Sequence, residues 1–262
     1  MLAVEDQSER AAGSGEAEGG RRVVLRNMIP WVTAGSTFPS IETALAEPNG
    51  LLAAGDDLSA ERLLDAYARG IFPWYSEGQP VLWWSPDPRM VLEVEAFRLR
   101  RSLAKVVRNG GFEIRVDTVF GEVMRGCAQV PRPGQGGTWI TPAVIAAYSQ
   151  LHDRGNAHSI EAWRAGRLVG GLYGVCIGRM FFGESMFALE RDASKVALVH
   201  LVAMLRARGF PMIDCQQETA HLASFGATTM SRRTFVERLA GLASANSSNE
   251  PWVPVPADRF MA

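Results

Sequence analysis

Between Met180 and Gln217 a short apolar run, a stretch of helical periodicity and a second apolar run follow one another within about 40 residues, the size of a strand–helix–strand crossover. Met180 to Phe182 reads as a buried strand that frays into a polar loop at Gly183, Glu184 and Ser185. Val196, Leu198, Val199, Leu201, Val202 and Leu205 recur at helical spacing over Ala193–Arg208, and Gly209 ends that helix. Met212 to Cys215 supplies the second strand. The order places Glu184 and Asp214 near the ends of two neighbouring strands, where polar groups oppose the packing of a core. That is where chemistry is expected.

The preceding segments extend this unit. His158–Arg164 alternates, Leu168–Ile177 is an apolar strand, and Gly166 and Gly178 mark turns, which predicts an antiparallel meander running into the Met180 strand. Gly170 and Gly171 inside that meander point to a bulge or to a place where a ligand approaches the backbone. Upstream, Phe112–Val116 reads as a strand, Phe120–Cys127 as a helix, and Pro142 opens a helix over Ala143–Arg154 that carries Tyr148. Near the start, Ser59 caps a helix that Gly70 stops. After Cys215, a short helix over Glu218–Phe225 and a turn-rich tail from Ala243 complete the reading.

Two further stretches attract a functional reading. Ile71–Arg89 holds Phe72, Trp74, Tyr75, Trp83 and Trp84 among four prolines, which predicts aromatics on rigid extended turns. They form either a small aromatic core or a surface that stacks on a base. Arg98, Arg100, Arg101, Lys105 and Arg108 lie within eleven residues without an acid, and Arg101, Lys105 and Arg108 share one helical stripe. With a net charge of −1 on the whole chain, a polyanion would have to be held by such a local patch; the alternative is a solvated helix face.

Composition closes off other classes. Hydrophobic residues make up 47% of the 262, ample for a core. No apolar run approaches a membrane span, and the acidic, Ala/Gly-rich first residues are unlike a signal peptide, so a cytoplasmic protein is expected. Cys127, Cys176 and Cys215 are odd in number and far apart, which argues for buried thiols rather than a disulfide framework. Cys215 beside Asp214, with His221 nearby, leaves a thiol nucleophile thinkable, with a structural role favoured. The four histidines are scattered and no HExxH or paired-cysteine motif occurs, so no metal is expected. No Walker loop is present, and Gly183-Glu184-Ser185-Met186 lacks the second glycine of a hydrolase elbow.

Meander, strand, helix and strand together resemble the acyltransferase fold of the N-acetyltransferase superfamily. The loop that grips coenzyme A there is rich in glycine, whereas Phe187–Ser194, FALERDAS, has none, which argues for another acyl donor. EPNGLLAAGDDLS (47–59), AYARGIFPWYSEGQPVLWWSPDPR (66–89), GTWITP (137–142), HSIEAWR (158–164), LVGGLYGV (168–175), FFGESMF (181–187), ASKVAL (193–198) and IDCQ (213–216) resemble, in collinear order, the bacterial leucyl/phenylalanyl-tRNA–protein transferases. The chain departs from that family in its acidic extension before Arg22, in Asp56 where glycine is usual, and in a longer Pro/Gly-rich loop before Trp139.

The first residues, up to about Arg22, lack hydrophobic periodicity and are too polar to offset the entropy of ordering, so an extension over 1–26 that lacks order is expected. For the rest the resemblance implies an α+β fold: a small α/β domain over 27–92, a catalytic domain like the N-acetyltransferases (GNAT-like) over 93–242, and a tail over 243–262. It implies transfer of Leu, Phe or less often Met from aminoacyl-tRNA to an N-terminal Arg or Lys of an acceptor protein, an N-end-rule degradation signal. No cofactor, no membrane partner and a monomer are expected. Asp214 and Gln216 would be catalytic. Trp74, Trp139, Tyr148, Phe181, Glu184, Ser185 and Met186 would hold the aminoacyl-adenosine and its side chain, with Glu184 and Asp214 as candidate partners of the acceptor's cation. Arg98, Arg101, Lys105 and Arg108 would contact tRNA phosphates. A coenzyme A-dependent N-acyltransferase and a non-catalytic tRNA-binding module are the competing readings.

Overall fold

The computed structural model describes residues 29–130, 138–245 and 250–256. The expected N-terminal extension and the Pro131–Gly137 loop lie outside them. The chain builds a four-stranded sheet and a seven-stranded sheet, an α+β arrangement. The small sheet holds β1 (Trp31–Val32), β2 (Leu51–Gly55), β3 (Phe72–Pro73) and β4 (Val81–Trp84), in the order β1-β2-β4-β3. Helix α1 (Ala60–Ala68) runs from β2 towards β3; the Ser59 hydroxyl accepts from Arg62 N–H, and Gly70 takes the left-handed turn that ends it.

The proline argument for Ile71–Arg89 is corrected here. Trp83 and Trp84 lie in β4, an interior strand, because Pro80 and Pro86 fall just outside it and leave its ladder donors intact. Trp83 is wholly buried with Phe38 edge-on at 5.0 Å, so this tryptophan belongs to a core.

The large sheet comprises β5 (Arg89–Glu93), β6 (Glu113–Val116), β7 (Ala157–Arg164), β8 (Arg167–Ile177), β9 (Met180–Ala188), β10 (Met212–Gln216) and β11 (Thr228–Met230), in the order β11-β5-β10-β9-β8-β7-β6. Helices α2 (Arg101–Asn109), α3 (Phe120–Gln129), α4 (Pro142–Asp153), α5 (Ala193–Ala207), α6 (Ala220–Ala223) and α7 (Arg232–Ala243) pack around it. The meander β7-β8-β9 is antiparallel, and α5 carries the chain from β9 to its parallel neighbour β10. A domain boundary at 92/93 would cut β5, which pairs with both β10 and β11; the two sheets part between Trp84 and Arg89.

Alternation along β9 divides the core. Met180 and Phe182 join a cluster with α1, α3, α4 and the small sheet, while Phe181 joins the cluster under α5. Gly170 serves this packing rather than a ligand: a Cβ there would come within 2.5 Å of Ala193 Cβ, so glycine lets the first turn of α5 rest on the sheet. Residues 250–256 lie over the α5 side, with Trp252 stacked on His158 at 4.2 Å. Among the described residues no helix is long and apolar enough to cross a membrane.

Candidate active site

Both strands that carry the polar residues leave regular geometry at the point where those residues sit. β9 and β10 pair at Phe181/Ile213 and Phe182/Asp214. Beyond that, β9 bulges: Gly174 faces Gly183 and Tyr173 faces Ser185, which leaves Glu184 as the extra residue. The expected fraying at Gly183 is therefore a bulge inside a strand that continues to Ala188. β10 has its own irregularity between Asp214 and Gln216, and Gln216 adopts φ 65°. A non-glycine residue held there is unusual and depends on its surroundings.

Those surroundings are fully buried and polar. Arg89 Nε and Nη2 donate to the two oxygens of Asp214 at 2.8 and 2.6 Å, and Nη1 donates to the Gly70 carbonyl at 3.1 Å. The guanidinium also lies over the Phe72 ring at 4.8 Å and the Phe235 ring at 4.6 Å. Asp214 Oδ1 accepts from Gln216 N–H at 2.9 Å, which fixes the turn after β10. Glu184 accepts from Tyr67 Oη at 2.7 Å, Tyr148 Oη at 3.4 Å and Gln216 Nε2 at 3.0 Å. Burial pushes the Glu184 carboxyl above its ordinary range and the charge of Asp214 adds to this, while the Tyr67 and Gln216 hydrogen bonds oppose it. Burial and the Glu184 charge hold both phenols well above 10, so they stay donors.

One acceptor is left over. Because the Gln216 amide nitrogen donates to a carboxylate, its oxygen is turned away, and Oε1 is buried with no hydrogen-bond partner among the described residues. Glu184, to which Gln216 donates, also lines an apolar cavity of about 20 Å³ between the diverging strands, walled by Leu172, Gly183, Met186, Leu198, Leu201 and Ile213 among others. Room for roughly one water means that a side chain enters only by displacing that wall, and Met186 is its most adaptable member.

The structure thus brings together Tyr148, Glu184, Ser185, Met186, Asp214 and Gln216. Trp139 adjoins them through Tyr148, whose ring it meets edge-on at 6.3 Å, and is itself 4% exposed. Trp74 sits in the aromatic layer of the small sheet against Trp84 at 5.3 Å. Phe181 does not line the cavity: its ring covers Gly174, where a Cβ would fall 2.5 Å from it, and meets Trp252 at 5.9 Å. Glu184 and Asp214 are both buried, 1% and 0% exposed, and each oxygen accepts from an internal donor, so neither stands at the surface as an open partner for an acceptor's cation. Cys215 is a buried thiol pushed far above the thiol range by desolvation, and Cys176 is pushed up to about 12, which removes the thiol nucleophile. Arg98, Arg101, Lys105 and Arg108 are exposed on and just before α2, and none makes an ion pair among the described residues. Arg89 and Tyr67 are the residues that sequence reasoning missed. Arg89 stands at the head of an apolar run, an expensive place for a charge, and that was its only signal.

Comparison with known proteins places the chain among the aminoacyltransferases. A profile of the leucyl/phenylalanyl-tRNA protein transferases matches residues 91–240, and one of their N-terminal domain matches residues 56–87. A leucyl/phenylalanyl-tRNA–protein transferase of Thiobacillus denitrificans is 61% identical over 220 residues, spanning 84% of this chain and 96% of the relative. One of Chromobacterium violaceum is 59% identical over 212 residues, 81% of this chain and 91% of the relative. The chain belongs to the leucyl/phenylalanyl-tRNA–protein transferase family. Among solved structures, a ribosomal-protein-alanine N-acetyltransferase from Brucella melitensis matches with a TM-score of 0.31 and 13% identity, over 55% of this chain and 97% of that one.

Proposed function

We propose that the protein transfers Leu or Phe, and less often Met, from aminoacyl-tRNA to the α-amine of an N-terminal Arg or Lys, marking the acceptor protein for N-end-rule degradation. The large sheet serves as a GNAT-like acyltransferase scaffold in which tRNA replaces coenzyme A. The observation that carries this reading is the orphaned Gln216 Oε1, a buried acceptor without a donor among the described residues, on a side chain that bonds Glu184, which itself lines the β9–β10 cavity.

An amine N–H supplies the missing donor. Held at Oε1, the α-amine directs its lone pair at the carbonyl of the aminoacyl ester whose side chain occupies the cavity. A C–N bond forms, the ester C–O bond breaks, and the proton leaves with the ribose hydroxyl. The ester is already activated and an α-amine titrates near 7.7–8.0, so positioning contributes more than basicity. Arg89 occupies both oxygens of Asp214, which favours an orienting role over that of a base: Asp214 fixes the backbone of Gln216, and Glu184 fixes its side chain. Trp139, Trp74 and Ser185 flank the adenosine, with Tyr148 as the link to Glu184. The exposed cations around α2 hold the acceptor stem through its phosphates.

Transfer of radiolabelled leucine from its tRNA to a peptide beginning with Arg tests this reading. Gln216→Ala is expected to lower kcat by about 10²-fold, the scale of a misplaced reacting group, with tRNA affinity kept. Undiminished transfer by that variant removes Gln216 from the mechanism, and absence of transfer by the wild type from Leu, Phe and Met donors alike removes the function.

A further inference from the structure

A groove of about 560 Å³ runs between α2 and the start of α5, and its cations are not explained by the site described above. Arg100, Arg164, Arg191 and Lys195 line it, with Phe112 and Phe225 among the apolar residues of its wall. Their pairing is incomplete. Arg164 bonds Glu190 and lies over Phe112 at 3.9 Å, so it is committed to the wall. Asp192 is shared by Lys195 at 2.7 Å and Arg191 at 3.6 Å, one acid against two cations, and the Arg191 side chain is 96% exposed. Arg100 has no ion pair among the described residues. Arg101, Lys105 and Arg108, without ion pairs among the described residues, stand on α2 outside the groove. A surface with this surplus on a chain of net charge −1 is suited to a polyanion.

Distance narrows what that polyanion is. Lys195 in the groove stands three residues, about 4.5 Å of helical rise, before Leu198, a wall of the apolar cavity. Leu222 of α6 lines the cavity and Ser224 and Phe225, just after it, line the groove, so the two share a partition. A donor whose acyl side chain fills the cavity carries its nearest phosphate on the same ribose that bears the ester. An anion of that origin lies within reach of the groove.

We infer that the groove between α2 and α5 seats the phosphates of the unpaired 3′ end of the donor tRNA, with Arg100, Arg191 and Lys195 as their cations. The inference rests on the proposed transfer reaction. It divides the basic surface in two: the outward face of α2 engages the acceptor stem, and the groove engages the single strand that delivers the ester.

Three donors separate these roles: leucyl-tRNA, a leucylated trinucleotide ending in adenosine, and leucyl-adenosine, which has no phosphate. Arg100→Glu combined with Arg191→Glu is expected to lower kcat/KM at least tenfold more for the first two donors than for leucyl-adenosine. Lys195→Gln should act in the same direction. If two single-strand phosphates are held, the double variant flattens the log–log salt dependence with the trinucleotide by about 1.4. Lys105→Glu should weaken leucyl-tRNA alone. Equal losses on all three donors, or an unchanged trinucleotide rate, would overturn the inference. Wild-type protein that transfers from none of them would instead defeat the transfer reaction itself. Melting temperatures of the variants, with the leucyl-adenosine rate, report whether the fold is intact.

Discussion

The chain handles charge in opposite ways in two regions. Around Asp214 the charges are buried and held from within: Arg89 and Asp214 are each almost wholly inaccessible and joined by two hydrogen bonds, and Glu184 accepts from neutral donors. On α2 the cations stand in solvent without ion pairs among the described residues, over an apolar underside where Leu103 is buried. The buried pair cannot meet a large ligand, but it fixes geometry to fractions of an ångström. The exposed cations fix nothing in the fold and remain available for a partner of opposite charge. On the proposed reading, positioning falls to the buried charges and recognition to the exposed ones.

Breaking the buried pair should show the largest effect. Arg89→Met leaves an unpaired carboxylate in the core, and a cost of roughly 3–5 kcal/mol in denaturant unfolding is expected, with transfer lost. Adding Asp214→Leu should recover stability while leaving transfer absent. A double variant that regained transfer would show that the pair serves only the fold. Removing exposed charges should do the reverse. Arg101→Ala with Lys105→Ala is expected to leave unfolding within about 0.5 kcal/mol of wild type, while tRNA binding weakens and its salt slope flattens by about 1–2. An unchanged slope would move stem binding off α2.

The smallest expected effect concerns Glu184. Its folded pKa lies above the ordinary 4.5, so in the window above 4.5 the native state binds more protons than the unfolded chain. Stability contributed by this group is therefore lost as pH rises through that window. Glu184→Gln should remove that component, seen as a wild-type minus variant difference in melting temperature that declines from pH 4.5 upward. A difference that grows with pH would mean that the hydrogen bonds to Glu184 outweigh its burial.

The β9–α5–β10 unit and the meander were legible because both are written in short-range periodicity: apolar residues at helical spacing in α5, and glycines at the turns. The upper half of β9 was not legible, since Glu184 and Ser185 look like loop residues until a bulge and three donors are seen to accommodate them. β11 and α7 also escaped the reading, and β5 sat hidden behind Pro86 and Pro88. For Trp83 the sequence left a core and a stacking surface open; the structure makes it core, in a strand that the prolines seemed to forbid and in fact bracket.

Within the site, Asp214, Glu184 and Gln216 could be picked out because polar side chains at strand ends conflict with the surrounding hydrophobic pattern. Their partners could not. Arg89 lies 125 positions from Asp214 and Tyr67 lies 117 from Glu184, and no local pattern encodes a hydrogen bond across such separations. The sequence by itself determined which segments become strands and helices, where cations gather on α2, and which family the motifs resemble, since each depends on neighbours a few residues apart. Only the tertiary structure decided that Asp214 is neutralised by Arg89, that Gln216 is left with one orphaned oxygen, and that a cationic groove shares a wall with the apolar cavity. Those facts depend on which distant side chains are buried together, and burial sets what a charge can do.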